Sequence, residues 1–181
     1  MDSLRGQLLV ASPALDDPNF RRTVILLGEH SHRGAVGLVL NRPSPTEVVE
    51  AVPALESLVE MGTTFFIGGP VAPSVVMVLA RMSDPEDAGT LEGQVIGFLS
   101  AETDLEDLGH QAVETRVFAG YAGWGPGQLE AELERADWIV HPPEEGDIFT
   151  EEPDRLWSAV LERMGGQYSL LARMPLDPSL N

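Results

Sequence analysis

Two short segments of this sequence carry side chains suited to gripping a ligand. The first is Asn41-Arg42-Pro43, directly after an apolar, strand-like run. Pro43 keeps the residue before it in extended backbone, and an arginine on a stiff segment presents its planar fork to a carboxylate or phosphate. The competing reading is local: Asn41 bonds turn backbone and Arg42 pairs with one of the chain's many acids. The second segment is the glycine-rich run from Gly120 to Gly127. Its glycines let the backbone turn sharply and approach another surface. Pro126 starts a helix whose free N–H groups favour a nearby anion. Tyr121 and Trp124 suit either a pocket wall or a core corner. An anion pocket built from these pieces and from Gly68-Gly69-Pro70 would draw on Asn41, Arg42, Pro43, Gly68, Gly69, Pro70, Gly120, Tyr121, Gly123, Trp124, Gly125 and Gln128. The alternative is that the same glycines and aromatics only pack a turn against a sheet.

More specific chemistries find little support. The glycine run lacks the Gly-Lys-Ser/Thr ending of a P-loop and the spacing of a dinucleotide fingerprint. The segment around Gly68–Ser74 holds no Gly-x-Ser-x-Gly nucleophile elbow. His30 and His32, with Glu29 adjacent, fall short of a tetrahedral ligand set, and His110 and His141 belong to other segments. Cysteine is absent, which removes thiol nucleophiles, disulfides and thiolate metal sites. Asp16, Asp17, Arg21 and Arg22 cluster before a strand and read as a turn network. No catalytic residue, metal site or cofactor is assigned.

Charge bounds the partners. The formal net charge is -18, and all 11 basic residues are arginine. The first 45 residues hold five arginines against four acids, so the acid excess lies wholly after them. Duplex DNA binding depends on cations that neutralise phosphates, and most of this surface repels a duplex. Direct duplex binding is therefore not expected. A protein partner or a small anionic ligand is physically easier, and an anion should meet the N-terminal quarter. No apolar run approaches the roughly 20 residues of a membrane-spanning helix. The N-terminus has no secretory pattern, so the expected location is cytoplasmic.

Val-, Ile- and Leu-rich runs predict strands at 7–11, 23–30 and 35–40, the last two joined by a short hairpin with Gly34 at positive φ. Ser44, Pro45 and Glu47 read as a capping box opening a short helix that Pro53 ends. Further strands are expected at 64–67, 74–81, 94–100, 114–119 and 137–141. Helices are expected at 103–108, at 126–135 and from Pro153 to Met164. In the second, Leu129 and Leu133 face inward while Glu130, Glu132 and Glu134 face water. This irregular insertion of helices among strands indicates one α+β domain and not a doubly wound sheet.

The segments LLVASPALDDPNFRRTVILLGEH, GAVGLVLNRP, FIGGPV and FAGYAGWGPGQLEAEL occur in this order. With them the chain resembles the YqgE/AlgH family over most of its length. The resemblance implies a compact α+β fold with a strongly curved or barrel-like sheet and flanking helices. It also implies a transcriptional-regulator label with no established activity or catalytic residues. Two departures stand out. Many relatives carry Leu-His after the GGP segment, where this chain has Leu79-Ala80-Arg81, and the tail PLDPSLN differs from the family's usual ending. The expected function is non-enzymatic binding or regulation. The runner-up is a small-molecule-binding protein or enzyme with an anion pocket at Asn41-Arg42 and Tyr121–Gly127, and a third reading is a purely structural module.

Overall fold

Leu8–Ala11, Val24–Leu27 and Leu38–Leu40 are apolar without alternation because both faces of the strands they form are covered. A computed structural model describes residues 3–83, 96–98, 112–144 and 146–173. Its strands are β1 (Leu8–Ala11), β2 (Val24–Ser31), β3 (Gly34–Val39), β4 (Pro43–Glu47), β5 (Thr64–Ile67), β6 (Val71–Met82), β7 (Ile96–Phe98), β8 (Ala112–Trp124) and β9 (Trp138–His141). The helices are α1 (Val48–Ala51), α2 (Gln128–Glu134), α3 (Pro153–Met164) and α4 (Gly166–Leu171). The strands form one strongly curled mixed sheet ordered β4-β5-β8-β3-β2-β1-β9, with β6 pairing β8 and β7. The β5–β8 pair is parallel and the other pairs are antiparallel. The expected α+β class and curled sheet are therefore present. The expected helix at 103–108, His110, most of the acidic stretch after Ser83 and the tail from residue 174 lie outside the described residues.

Helices cover both faces. Leu8, Val10, Leu26 and Leu38 pack against Leu156, Trp157, Val160 and Leu161 of α3. Leu9, Ala11, Ile25 and Val39 pack on the other side with Leu129 of α2. Each buried aliphatic side chain contributes roughly 1.5–3 kcal/mol of transfer free energy. Pro153 opens α3 and Gly165, at φ 71°, stops it, as its sequence pattern requires. Trp157 adds a hydrogen bond from Nε1 to the Ala11 carbonyl at 2.8 Å.

Three expectations fail. The capping box at Ser44 does not open a helix: residues 43–47 pair with β5 as a strand, and Ser44 Oγ accepts the Thr46 amide instead. Pairing with a neighbouring edge outweighs a local cap, and only one turn, α1, follows. The Gly120–Gly125 run is not a turn either. Strand β8 continues to Trp124, so α2 begins at Gln128 and not at Pro126. The third failure concerns α2. Glu132 does not face water: its Oε2 accepts both the Trp124 and Trp138 indole N–H groups at 2.8 Å, and its Oε1 accepts Gln128 Nε2. The two indoles meet edge to face with centroids 6.0 Å apart. Glu130 bonds His30 Nε2 at 3.1 Å, while His30 Nδ1 accepts the Leu4 amide. The Glu130 carboxyl is held below its ordinary pKa, first by its own amide and then by His30.

Strand β8 keeps its length because Gly120 bends it. Before the bend, Phe118 faces the α3 side; after it, Ala122 and Trp124 face the α2 side. Residues an even number apart would share a face in a regular strand, so the left-handed φ of 69° at Gly120 reverses the alternation. A Cβ at Gly120 would lie 2.7 Å from the Gly69 carbonyl, and one at Gly69 would overlap the Tyr121 backbone. Gly120→Ala should therefore destabilise by about 3 kcal/mol, adding left-handed strain to overpacking, as read by urea unfolding. Glu132→Ala should lower stability by roughly 3 kcal/mol by orphaning two buried indoles, with Glu132→Gln costing less than half of that. Tryptophan emission should shift to the red in the alanine variant.

Candidate functional site

The β2–β3 hairpin pairs Ile25 with Val39, so the chain entering β2 lies beside the chain leaving β3. Asn41 joins the two. Its Oδ1 accepts the Val24 amide at 2.9 Å and its Nδ2 donates to the Arg22 carbonyl at 2.8 Å. The turn before β2 is wound on Asp17, whose Oδ1 accepts the Asn19 amide and whose carbonyl accepts the amides of Phe20 and Arg21. This is the turn role that the cluster of like and unlike charges suggested. Arg42 reaches over the same turn, and its Nη2 donates to the carbonyls of Pro18 at 3.0 Å and Arg21 at 3.3 Å.

Three arginines share this corner, Arg21, Arg22 and Arg42, with the charge of Arg21 felt by both of the others. Arg22 adopts a left-handed φ of 55°, uncommon for a long side chain. Its guanidinium carbon sits 4.8 Å from the Trp157 ring centre. Burial, then the charge of Arg21, pulls the Arg22 pKa below its ordinary value. The same two causes, in the same order, lower that of Arg42, and Asp17 partly offsets them. Arg21 itself is exposed. Planar donors with mutual repulsion and an aromatic neighbour suit bidentate recognition of a carboxylate or phosphate.

The other candidate residues divide into two groups. Gly68, Gly69 and Pro70 end at the same corner as Asn41-Arg42: the Ile67 amide donates to the Arg42 carbonyl at 2.8 Å and the Val39 amide to the Gly68 carbonyl at 2.9 Å. Pro43 pairs with Phe66, and Gly120 and Tyr121 lie against Gly69. Main chain fills the space between these glycines. Gly123 and Trp124 lie farther along β8, opposite Val36 and Ala35, and Gln128 Oε1 accepts the Gly125 amide there. A separate cleft of about 300 Å³ is lined by Leu58, Val59, Glu60, Thr63 and Ala112–Thr115, and none of the sequence candidates borders it. Both His30 nitrogens are engaged in hydrogen bonds, and among the described residues no three His, Asp or Glu side chains gather around a metal position. No helix among the described residues is long and apolar enough to cross a membrane.

Sequence reasoning missed Arg116 and Arg163. Arg163 forms a forked pair with Asp147 at 2.7 and 3.1 Å and a second pair with Glu144. That forked bond to Asp147 raises the Arg163 pKa. The i to i+3 spacing of Glu144 and Asp147 offered the only hint.

Known proteins share this architecture. A profile described as AlgH-like matches residues 8–169. A UPF0301 protein of Streptomyces coelicolor is 43% identical, with 100% of this chain and 97% of that one aligned. A UPF0301 protein of Mycobacterium avium is 40% identical over 97% of this chain and 90% of its own. Among solved structures, a Corynebacterium diphtheriae protein superposes with a TM-score of 0.84 at 27% identity, covering 96% of this chain and 93% of its own. The solution structure of AlgH from Pseudomonas aeruginosa gives 0.72 at 31% identity, covering 97% and 96%. None of these names states an activity. The chain belongs to the AlgH-like, UPF0301 family, whose function is uncharacterised.

Proposed function

We propose that this chain works by binding and not by catalysis, as a regulatory protein whose partner presents a carboxylate or phosphate to Arg21, Arg22 and Arg42. The observation that carries the reading is the gathering of three guanidinium groups in a chain of net charge -18. A field of that sign repels most anions, so the arginine corner is where an anionic group approaches most easily. Catalysis needs a base or nucleophile within reach of substrate. The polar side chains at this corner instead hold backbone: Asn41 bonds Val24 and Arg22, and Arg42 bonds Pro18 and Arg21.

Direct duplex binding does not fit this role. Three phosphate contacts give a weak, salt-labile complex, with log K falling about 0.9 per contact for each decade of salt. Fluorescence anisotropy with a labelled duplex at physiological salt should show no binding. A thermal-shift screen of carboxylate and phosphate metabolites should return ligands that raise the melting temperature of the intact protein. Arg21→Ala should abolish the response with little effect on the unliganded protein, because the side chain is exposed. Arg42→Ala should abolish it too and cost about 1–3 kcal/mol from the two lost carbonyl bonds. Salt-dependent duplex binding, or ligand shifts that survive Arg21→Ala, would overturn the proposal.

A further inference from the structure

His30 stands opposite Ala35 of β3, and its side chain, only 4% exposed, is enclosed between the N-terminal arm and α2. A backbone N–H can only donate, so the 2.9 Å bond from the Leu4 amide requires a lone pair on Nδ1. The proton of the neutral ring therefore sits on Nε2 and points at Glu130 Oε1, 3.1 Å away. The arm is tied to the same residue a second time, because Ser3 Oγ donates to the His30 carbonyl at 3.1 Å. Beyond it the arm joins the sheet where the Gly6 amide meets the Leu27 carbonyl at 2.7 Å. Leu4 packs on the core under α2, beside the partly buried Leu133 and Val140.

A second proton has one place to enter, and that is Nδ1. The ring would then turn an N–H toward the Leu4 N–H, and two donors form no bond. The other side of the ring gains instead, since an imidazolium gives Glu130 a charge-assisted bond. Glu130 is held below its ordinary pKa, first by its own backbone amide and then by His30, so it stays ionised where imidazoles titrate. The other neighbours do not reverse this balance. Ser3 and Leu4 of the arm and Ala35 of β3 carry no charge, while Glu29 and Ser31 alternate to the opposite face of β2. The N-terminal charge adds a smaller pull on Glu130. Among the described residues, Glu130 is the one ionic partner of His30.

We propose that His30 is an acid-released clasp on the N-terminal arm, in which a proton on Nδ1 frees the Leu4 amide while the ring stays bonded to Glu130. Protonation and release are one event, because the docked arm occupies the lone pair that the proton needs. Release lifts Leu4 from the core under α2 and opens apolar surface beside Leu133 and Val140. The clasp lies near the end of β2, whereas Arg21 precedes its start, so the two work independently.

The test is NMR of the full chain, titrated from about pH 8 to about pH 5, the range in which imidazoles change charge. At the alkaline end the His30 nitrogens should show the proton on Nε2, with a through-bond coupling between the Leu4 amide nitrogen and Nδ1. On acidification that coupling should vanish, and the Leu4 amide should titrate with the same midpoint as the His30 ring carbons. The ratio of released to docked arm should rise about tenfold per pH unit, the slope of one coupled proton. His30→Asn places an amide oxygen where Nδ1 stood and should hold the arm at every pH in the range. Glu130→Gln, which removes the support for the imidazolium, should move the midpoint of release to lower pH. Arg21→Ala should leave the titration unchanged. A proton on Nδ1 at the alkaline end, ring carbons that titrate without the Leu4 amide, no change at Leu4 down to pH 5, or an equal change in His30→Asn overturns the clasp.

Discussion

Glycines let the backbones of β5 and β8 approach closely. Gly68 and Gly69, leaving β5, lie so near Gly120 and Tyr121 of β8 that a Cβ on either would meet main-chain atoms. The junction also receives β3, because the Val39 amide donates to the Gly68 carbonyl while the Gly68 amide donates to Ala119. Three strands therefore converge with their backbone groups paired. Unpaired amides at such a crossing would each carry a desolvation penalty of about 1–3 kcal/mol. Glycine is the residue type that meets both the spacing and the positive φ.

The curl of the sheet depends on this junction. Below Gly120, β8 lies between β5 and β6, and above it pairs with β3. Reversal of alternation at one residue lets a single strand supply Phe118 to the core under α3 and Trp124 to the core under α2. The second core then needs an acceptor for two indole donors, and Glu132 of α2 provides it. A charged residue on a helix flank thereby becomes the latch between helix and sheet.

These facts explain what the sequence could disclose. Apolar runs on β1 to β3, the hairpin at Gly34 and the stripe of α3 depend on local periodicity, and periodicity is visible. The strand at 43–47 depends on an edge provided by residues 64–67, and a capping pattern carries no information about such an edge. Glycine runs are ambiguous by nature: the freedom that permits a turn also permits two strands to touch. Glu132 was misplaced because helix phase identifies which residues flank the buried stripe, not what a neighbouring sheet presents to them. The arginine corner was half visible. Arg42 and the Arg21-Arg22 pair stood out separately, and extending the hairpin register outward from Ile25 and Val39 sets Arg22 opposite Arg42.

The absence of lysine has a structural side. Arg116 bridges Ile148 and Thr150 through two nitrogens, and Arg163 forks onto Asp147. Each contact fixes a loop by presenting several donors in one plane, and an ammonium group offers no such fork. Aromatic rings lie beside Arg22, Arg81 and Arg116, a placement that suits a weakly hydrated planar cation. Loops of an acidic chain are thus held by cations that tolerate partial burial.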